Sequence, residues 1–206
     1  MPKKIVQPLT YELEDSYKAL GYSVICGTDE AGRGPLCGPV AAAACILPKG
    51  FIIPELNDSK KLSEKKREEL YDIITANAVS YAIELVSNEV IDEINILNAA
   101  QLAMRNAINN LSVKPDLALV DGNVARDFPC KAVTVVKGDA KSPNIAAASI
   151  LAKVTRDRLC LEHDALYPQY GIAKHKGYPT KDHMDAVRKY GPSPIHRLTF
   201  LKFLDK

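Results

Sequence analysis

The chain has 206 residues, 47% of them hydrophobic, enough for one large domain with its own core. No apolar run approaches the ~20 residues that cross a bilayer, so a membrane-spanning protein is excluded and a cytoplasmic one expected. The formal net charge of +2 conceals an asymmetry: residues 131–206 hold 14 Lys+Arg against 7 Asp+Glu, whereas residues 1–130 hold 13 against 18. A basic final third fits a polyanion partner and, equally, a solvated helical surface.

The N-terminal stretch starts with basic residues but lacks the apolar segment of a secretory signal. Residues 10–20 read as a short helix. "YSVICGTD" (22–29) is β-branched and apolar, then broken by glycine, as a strand would be. "GPVAAAACIL" (38–47) is a second apolar run of strand length. Ser63 caps a helix through "SEKKREELYDIITANA", with Leu70, Ile73 and Ile74 on its apolar side. "SYAIELVS" (80–87) is a third strand. "SNEVIDEINILNAAQLAMRNAINNL" (87–111) is mainly helix, with Leu97, Leu102, Met104 and Ile108 along its stripe. "PDLALVDGN" and "KAVTVVKGDA" are strands that both end in an acid and a glycine. Ser142 and Pro143 open an alanine-rich helix as N-cap and first residue. A later helix, "TKDHMDAVRKY", closes at Gly191. Strands paired early and alternating with helices later give an α/β fold, a mixed sheet covered by helices.

Five cysteines, Cys26, Cys37, Cys45, Cys130 and Cys160, are scattered without a CxxC pair. Reduced thiols are expected, and neither a disulfide framework nor a zinc site. His163, His175, His183 and His196 show no ligand spacing on one helix face, so none is assigned to a metal.

Three strand ends carry the chemistry: "GTDEAGRG", "LVDGN" and "VKGDAKSP". Sites in open α/β sheets gather at strand ends. Carboxylates crowded there repel one another, and a hard divalent cation such as Mg²⁺ or Mn²⁺ relieves the repulsion. Asp29 ends its strand facing the site. Alternation turns Glu30 to the other face, and the glycines that follow permit a bend that returns it. Each acid also has an ordinary reading: Asp29 and Asp121 as turn residues beside glycine, Asp139 as an acid at a helix start. Two basic stretches accompany them. Lys60, Lys61, Lys65, Lys66 and Arg67 form one, the last three also readable as a solvated helix face. Lys174, His175, Lys176, Tyr178, Lys181 and His183 form the other, mixing charge for phosphates with a ring for a sugar or base.

Six blocks, "GTDEAGRGPLCGPV", "NDSKKLSEKKREEL", "LVDGN", "VKGDAKSPNIAAASILAKVTRDR", "YPQYGIAKHKGYPTKDH" and "GPSPIHRLTF", resemble bacterial ribonuclease HII in order and spacing over residues 22–203. The resemblance implies one ribonuclease H-like catalytic domain over 1–206. A helical segment would occupy about 1–20, and a C-terminal helical extension over about 163–206 would complete the substrate groove. It implies a two-metal endonuclease using Mg²⁺ or Mn²⁺ that cuts RNA paired with DNA. It would also nick 5′ of a lone ribonucleotide in duplex DNA, leaving 3′-hydroxyl and 5′-phosphate ends, in ribonucleotide removal during repair and replication. Carried over by motif, Asp29, Glu30, Asp121 and Asp139 are the catalytic and metal-binding carboxylates. Gly32, Arg33 and Gly34 are the backbone reader of the 2′-hydroxyl, Tyr178 stacks on the neighbouring sugar, and Lys60 and Lys61 contact phosphates. A monomer is expected. The 28 residues before Asp29 leave no room for the extra N-terminal domain of the related ribonuclease HIII. Two other classes keep a place: a non-catalytic nucleic-acid-binding module and a metal-dependent phosphomonoesterase. The latter lacks a DxD-type nucleophile motif after the first strand.

Overall fold

The computed structural model describes residues 8–56 and 62–205. Lys60 and Lys61 lie outside the described residues. Helix α1 (Glu12–Ala19) leads into β1 (Ile25–Ala31) and β2 (Val40–Ile46). Then come α2 (Glu64–Asn77), β3 (Ser80–Val86), α3 (Asn88–Ile94) and α4 (Ile96–Asn109). Strands β4 (Leu117–Asp121) and β5 (Lys131–Val135) precede the long α5 (Pro143–Leu166). Short α6 (Ile172–His175) and α7 (Lys181–Tyr190) follow. The five strands form one mixed sheet in the order β3-β2-β1-β4-β5. β2 runs antiparallel to β1 and β3, while β4 runs parallel to β1 and β5.

Alternation along β2 distributes its side chains between two helical layers. Val40, Ala42, Ala44 and Ile46 face α3 and α4; Ala43 and Cys45 face α2 and α5. Every residue of β2 is buried, and most are alanine. Small residues let the helices approach closely, and a larger side chain there would overpack the core at a cost of roughly 1–3 kcal/mol.

The same close approach revises the helix stripe. In α4 the buried apolar residues are Ala99, Ala100, Ala103, Met104, Ala107 and Ile108, with Leu97 and Leu102 only partly covered. Alanine on the helix meets alanine on the sheet, so the larger leucines fall to the edge. The single helix expected over 87–111 is two. Asn95 adopts φ 66°, and its side-chain oxygen accepts from the N–H groups of Leu97 and Asn98 at 3.0 and 3.1 Å, capping a new helix.

Ser63, Ser142 and Thr180 cap α2, α5 and α7 as their side chains permit. Ser142 also donates to the buried Glu14 at 2.6 Å, fastening α1 to the start of α5. A separate cluster of Leu36, Cys37, Cys160, Tyr170, Ile172, Val187 and Leu201 joins the segment after α5 to the loop between β1 and β2. All five cysteines are free. Among the described residues, no helix is long and apolar enough to cross a membrane.

Candidate active site

Register brings the acids together. Thr28 stands opposite Val120 in the parallel β1–β4 pair, so Asp29 lies level with Asp121, the last residue of β4, although β1 itself runs on to Ala31 rather than ending at Asp29. Asp139 follows β5 in a single helical turn, Gly138–Ala140, just before α5. Asp29, Glu30, Asp121 and Asp139 line one cleft of about 190 Å³ with Gly32, Arg33, Gly34 and Tyr178. Eight of the ten residues singled out from sequence thus meet in one place. Glu30 reaches it from within β1, because the strand continues to Ala31 and the chain bends only at Gly32, φ 100°. It also borders a groove beside α4 that holds Leu97, Gln101 and Met104.

The acids are constrained individually. Asp29 accepts the Glu30 N–H at 2.7 Å and a hydrogen bond from Ser149. Asp121 accepts the Gly138 N–H at 2.6 Å. Glu30 pairs with Arg33 at 3.3 Å. Burial, then the charges of Glu30 and Asp121, pushes the Asp29 carboxyl well above the usual carboxylate range. Burial also raises Glu30, against the pull of Arg33 and with the repulsion of Asp121. Such crowding favours a bound cation, and a donor set made only of carboxylate oxygens suits Mg²⁺ or Mn²⁺.

Three further polar side chains line the cleft that sequence reading passed over: Ser149, Lys153 and Arg156. All lie on α5, spaced four and three apart, a polar stripe on an otherwise alanine-rich helix. That spacing was the available signal. Lys153 holds Asp157 at 2.6 Å, and Arg67 reaches the same carboxylate at 3.5 Å. Arg67 therefore leaves the solvated face read for it and turns inward under α5. Lys66 pairs with Glu55 and Glu69 on the surface, and Lys65 is exposed.

The second basic stretch divides. Tyr178 is 44% exposed at the cleft, its ring carbon Cε1 only 3.3 Å from where a Cβ on Gly34 would stand. Lys174 pairs with Asp182 and Lys176 with Glu64. The histidines face inward instead: His183 stacks on His175, and its Nε2 lies 3.2 Å from His196 Nε2. With Cys37, these two imidazoles bring three ligand atoms within 4.8 Å, a grouping that helix-face spacing could not reveal. Their protons are nevertheless accounted for. His183 Nδ1–H donates to the Tyr178 carbonyl at 3.0 Å, and His196 Nδ1 accepts the Ser193 N–H at 3.0 Å. One proton then sits between the Nε2 atoms, and every ring nitrogen is used. The pair braces Tyr178 from behind.

A family model described as Ribonuclease HII matches residues 26–203. The chain is 56% identical to the ribonuclease HII of Endomicrobium trichonymphae, over 92% of this chain and 91% of that protein. It is 57% identical to that of Caldanaerobacter subterraneus subsp. tengcongensis, over 88% and 76%. In structure it is similar to the ribonuclease H2 of Pyrococcus horikoshii OT3, with TM-score 0.70, 28% identity, and coverage of 89% of this chain and 97% of that one.

Proposed function

The chain belongs to the ribonuclease HII family, and on that premise we propose that Asp29, Glu30, Asp121 and Asp139 hold the metals of its active site. The activity is metal-dependent endonucleolytic cleavage of RNA paired with DNA, including nicking 5′ of a single ribonucleotide in duplex DNA. The observation that carries the residue assignment is the meeting of Asp29 and Asp121 on adjacent parallel strands, with Glu30 and Asp139 on the same cleft.

When bound, Mg²⁺ or Mn²⁺ supplies the positive charge that activates water and stabilises charge developing on the scissile phosphate. The protein does the rest by positioning. The Gly138 and Glu30 N–H groups fix one oxygen each of Asp121 and Asp29. Arg33 and Lys153 bring cationic groups to the cleft for the phosphate backbone. Gly32 and Gly34 permit close backbone approach to a ribose 2′-hydroxyl, which recognises the substrate and is not the nucleophile. No histidine pair is then required, in keeping with the inward His183 and His196. The segment beyond residue 163 holds Tyr178 against the cleft and completes the groove. Lys60 and Lys61 remain candidates for phosphate contacts.

The test is a duplex carrying one ribonucleotide, incubated with Mg²⁺ or Mn²⁺. A nick on the 5′ side with 3′-hydroxyl and 5′-phosphate ends is expected, and EDTA should abolish it. Binding without cleavage would favour a non-catalytic module. Release of terminal phosphate alone would favour a phosphomonoesterase.

Tyr178 should report the RNA-to-DNA junction. Its exposed ring can pack on the deoxyribose after the ribonucleotide, where an extra hydroxyl would disturb the contact. Tyr178→Ala should lose more activity on a single embedded ribonucleotide than on a long hybrid. Stacking is worth roughly 1–3 kcal/mol, so a loss of about tenfold is expected on the first substrate. Equal losses on both would assign the ring to general duplex binding.

A further inference from the structure

Arg197 is fully buried, yet its guanidinium meets no carboxylate among the described residues. It donates instead to five carbonyl groups of one loop. Nε reaches Gly38 at 2.9 Å; Nη1 reaches Arg33 at 3.2 Å and Pro35 at 2.8 Å. Nη2 reaches Gly32 at 2.7 Å and Pro39 at 3.2 Å. A buried cation needs such compensation, and burial, with Arg156 nearby, pushes it down only to about 10, so it stays charged.

Peptide planarity converts this into a statement about donors. In a trans peptide the carbonyl and the following N–H point in opposite directions. Drawing the Gly32 carbonyl inward therefore turns the Arg33 N–H away from Arg197. Drawing the Arg33 carbonyl inward does the same to the Gly34 N–H. Among the described residues neither N–H makes a hydrogen bond, and Gly32, Arg33 and Gly34 all line the cleft. The next inward carbonyl, Pro35, leaves the Leu36 N–H to donate to Gly177 at 2.8 Å, next to Tyr178.

We propose that Arg197 is a positioning residue for ribose recognition, holding the loop carbonyls inward so that the Arg33 and Gly34 N–H groups face the substrate hydroxyl. The proposal rests on the assignment of this cleft as the active site. No other side chain could replace it. Lysine offers three donors on a point charge, whereas the planar fork serves five acceptors at once. The loop cannot hold itself, since Gly32 and Gly34 have no side chains and Gly32 sits at φ 100°.

The experiment measures affinity for a duplex with one ribonucleotide and for the same duplex in all-DNA form, in an Asp121→Asn background that keeps the substrate whole. Arg197→Lys should lower the ratio of the two affinities by about three- to tenfold, as the loss of one or two hydrogen bonds would, with all-DNA affinity retained. A parallel fall in both affinities, or an unchanged ratio, would overturn the proposal. Circular dichroism shows whether the variant folds. If it does not, Asp92→Asn decides, because Asp92 accepts the Leu198 and Thr199 N–H groups at 2.7 and 3.0 Å and steadies the chain just after Arg197. A lowered ratio in that variant supports the proposal and an unchanged one overturns it. Continued cleavage by Asp121→Asn alone, or no ribose preference before Arg197 is touched, would instead overturn the active-site assignment.

Discussion

Asp29→Asn and Asp121→Asn should each reduce cleavage by about a thousandfold while the protein stays folded. On the proposed assignment each change removes one charged oxygen ligand, and transition-state stabilisation by a metal is worth several kcal/mol, with each 1.36 kcal/mol a factor of ten. Asp29→Asn carries a second, opposite signature. The Asp29 carboxyl is raised in the folded protein by burial and by its acidic neighbours. A carboxyl raised on folding destabilises the folded state at pH values above its folded pKa, and that penalty fades as pH falls through it. At neutral pH in EDTA the neutral asparagine should therefore raise the melting temperature. Addition of Mn²⁺, which should stabilise the parent protein, should do little for the variant. Melting curves with and without Mn²⁺, alongside a gel assay on a duplex with one ribonucleotide, measure both effects. Full activity in Asp121→Asn would sink the assignment of the cleft, and a lower metal-free melting temperature for Asp29→Asn would contradict the electrostatics.

Gly27→Ala should be the most damaging single methyl addition in the sheet. An added Cβ would lie 2.2 Å from the Ile145 nitrogen and 2.3 Å from the Asn144 carbonyl carbon, both backbone atoms of the first turn of α5. A side chain can rotate aside, but a helix must move as a body. α5 packs on β1 and β2 and carries Ser149, Lys153 and Arg156 into the cleft. The cost should reach the upper end of overpacking, about 3 kcal/mol or more, against a total stability of roughly 5–15 kcal/mol. Gly122→Ala is the control: φ is 100° there, but nothing lies within 4 Å of the added atom. Urea unfolding of the two variants should separate them clearly, and equal midpoints would refute the packing argument.

Much of the architecture could be read from patterning. Acid and glycine after an apolar run marked three strand ends, and Ser63, Ser142 and Thr180 sit where a helix start needs an oxygen. What patterning lacks is strand order. Nothing in "LVDGN" says that its strand lies beside that of "GTDEAG", and the convergence of Asp29 with Asp121 depends on that adjacency. Arg197 was invisible for a different reason. In "PIHRLTF" an arginine looks like one more surface cation, and its partners are backbone carbonyls, which leave no trace in side-chain identity. Arg67 misled in the same way, since its carboxylate partner Asp157 is remote in sequence. The stripe of Ser149, Lys153 and Arg156 is the converse case, readable by spacing alone.

The parallel pairing of β1 with β4 also has a kinetic consequence. The two strands are separated in the chain by β2, β3 and the helices between them, so their union is a high-contact-order event with a loop-closure cost. Until it happens Asp29 and Glu30, which are neighbours in the chain, lie far from Asp121 and do not feel its charge. The repulsion between the two strands' acids is thus absent from the unfolded ensemble and from early collapsed states. A divalent cation that needs both strand ends has nothing to grip before that point. It should act as a brake on unfolding far more than as a catalyst of folding, making the loaded enzyme long-lived without making it quick to form.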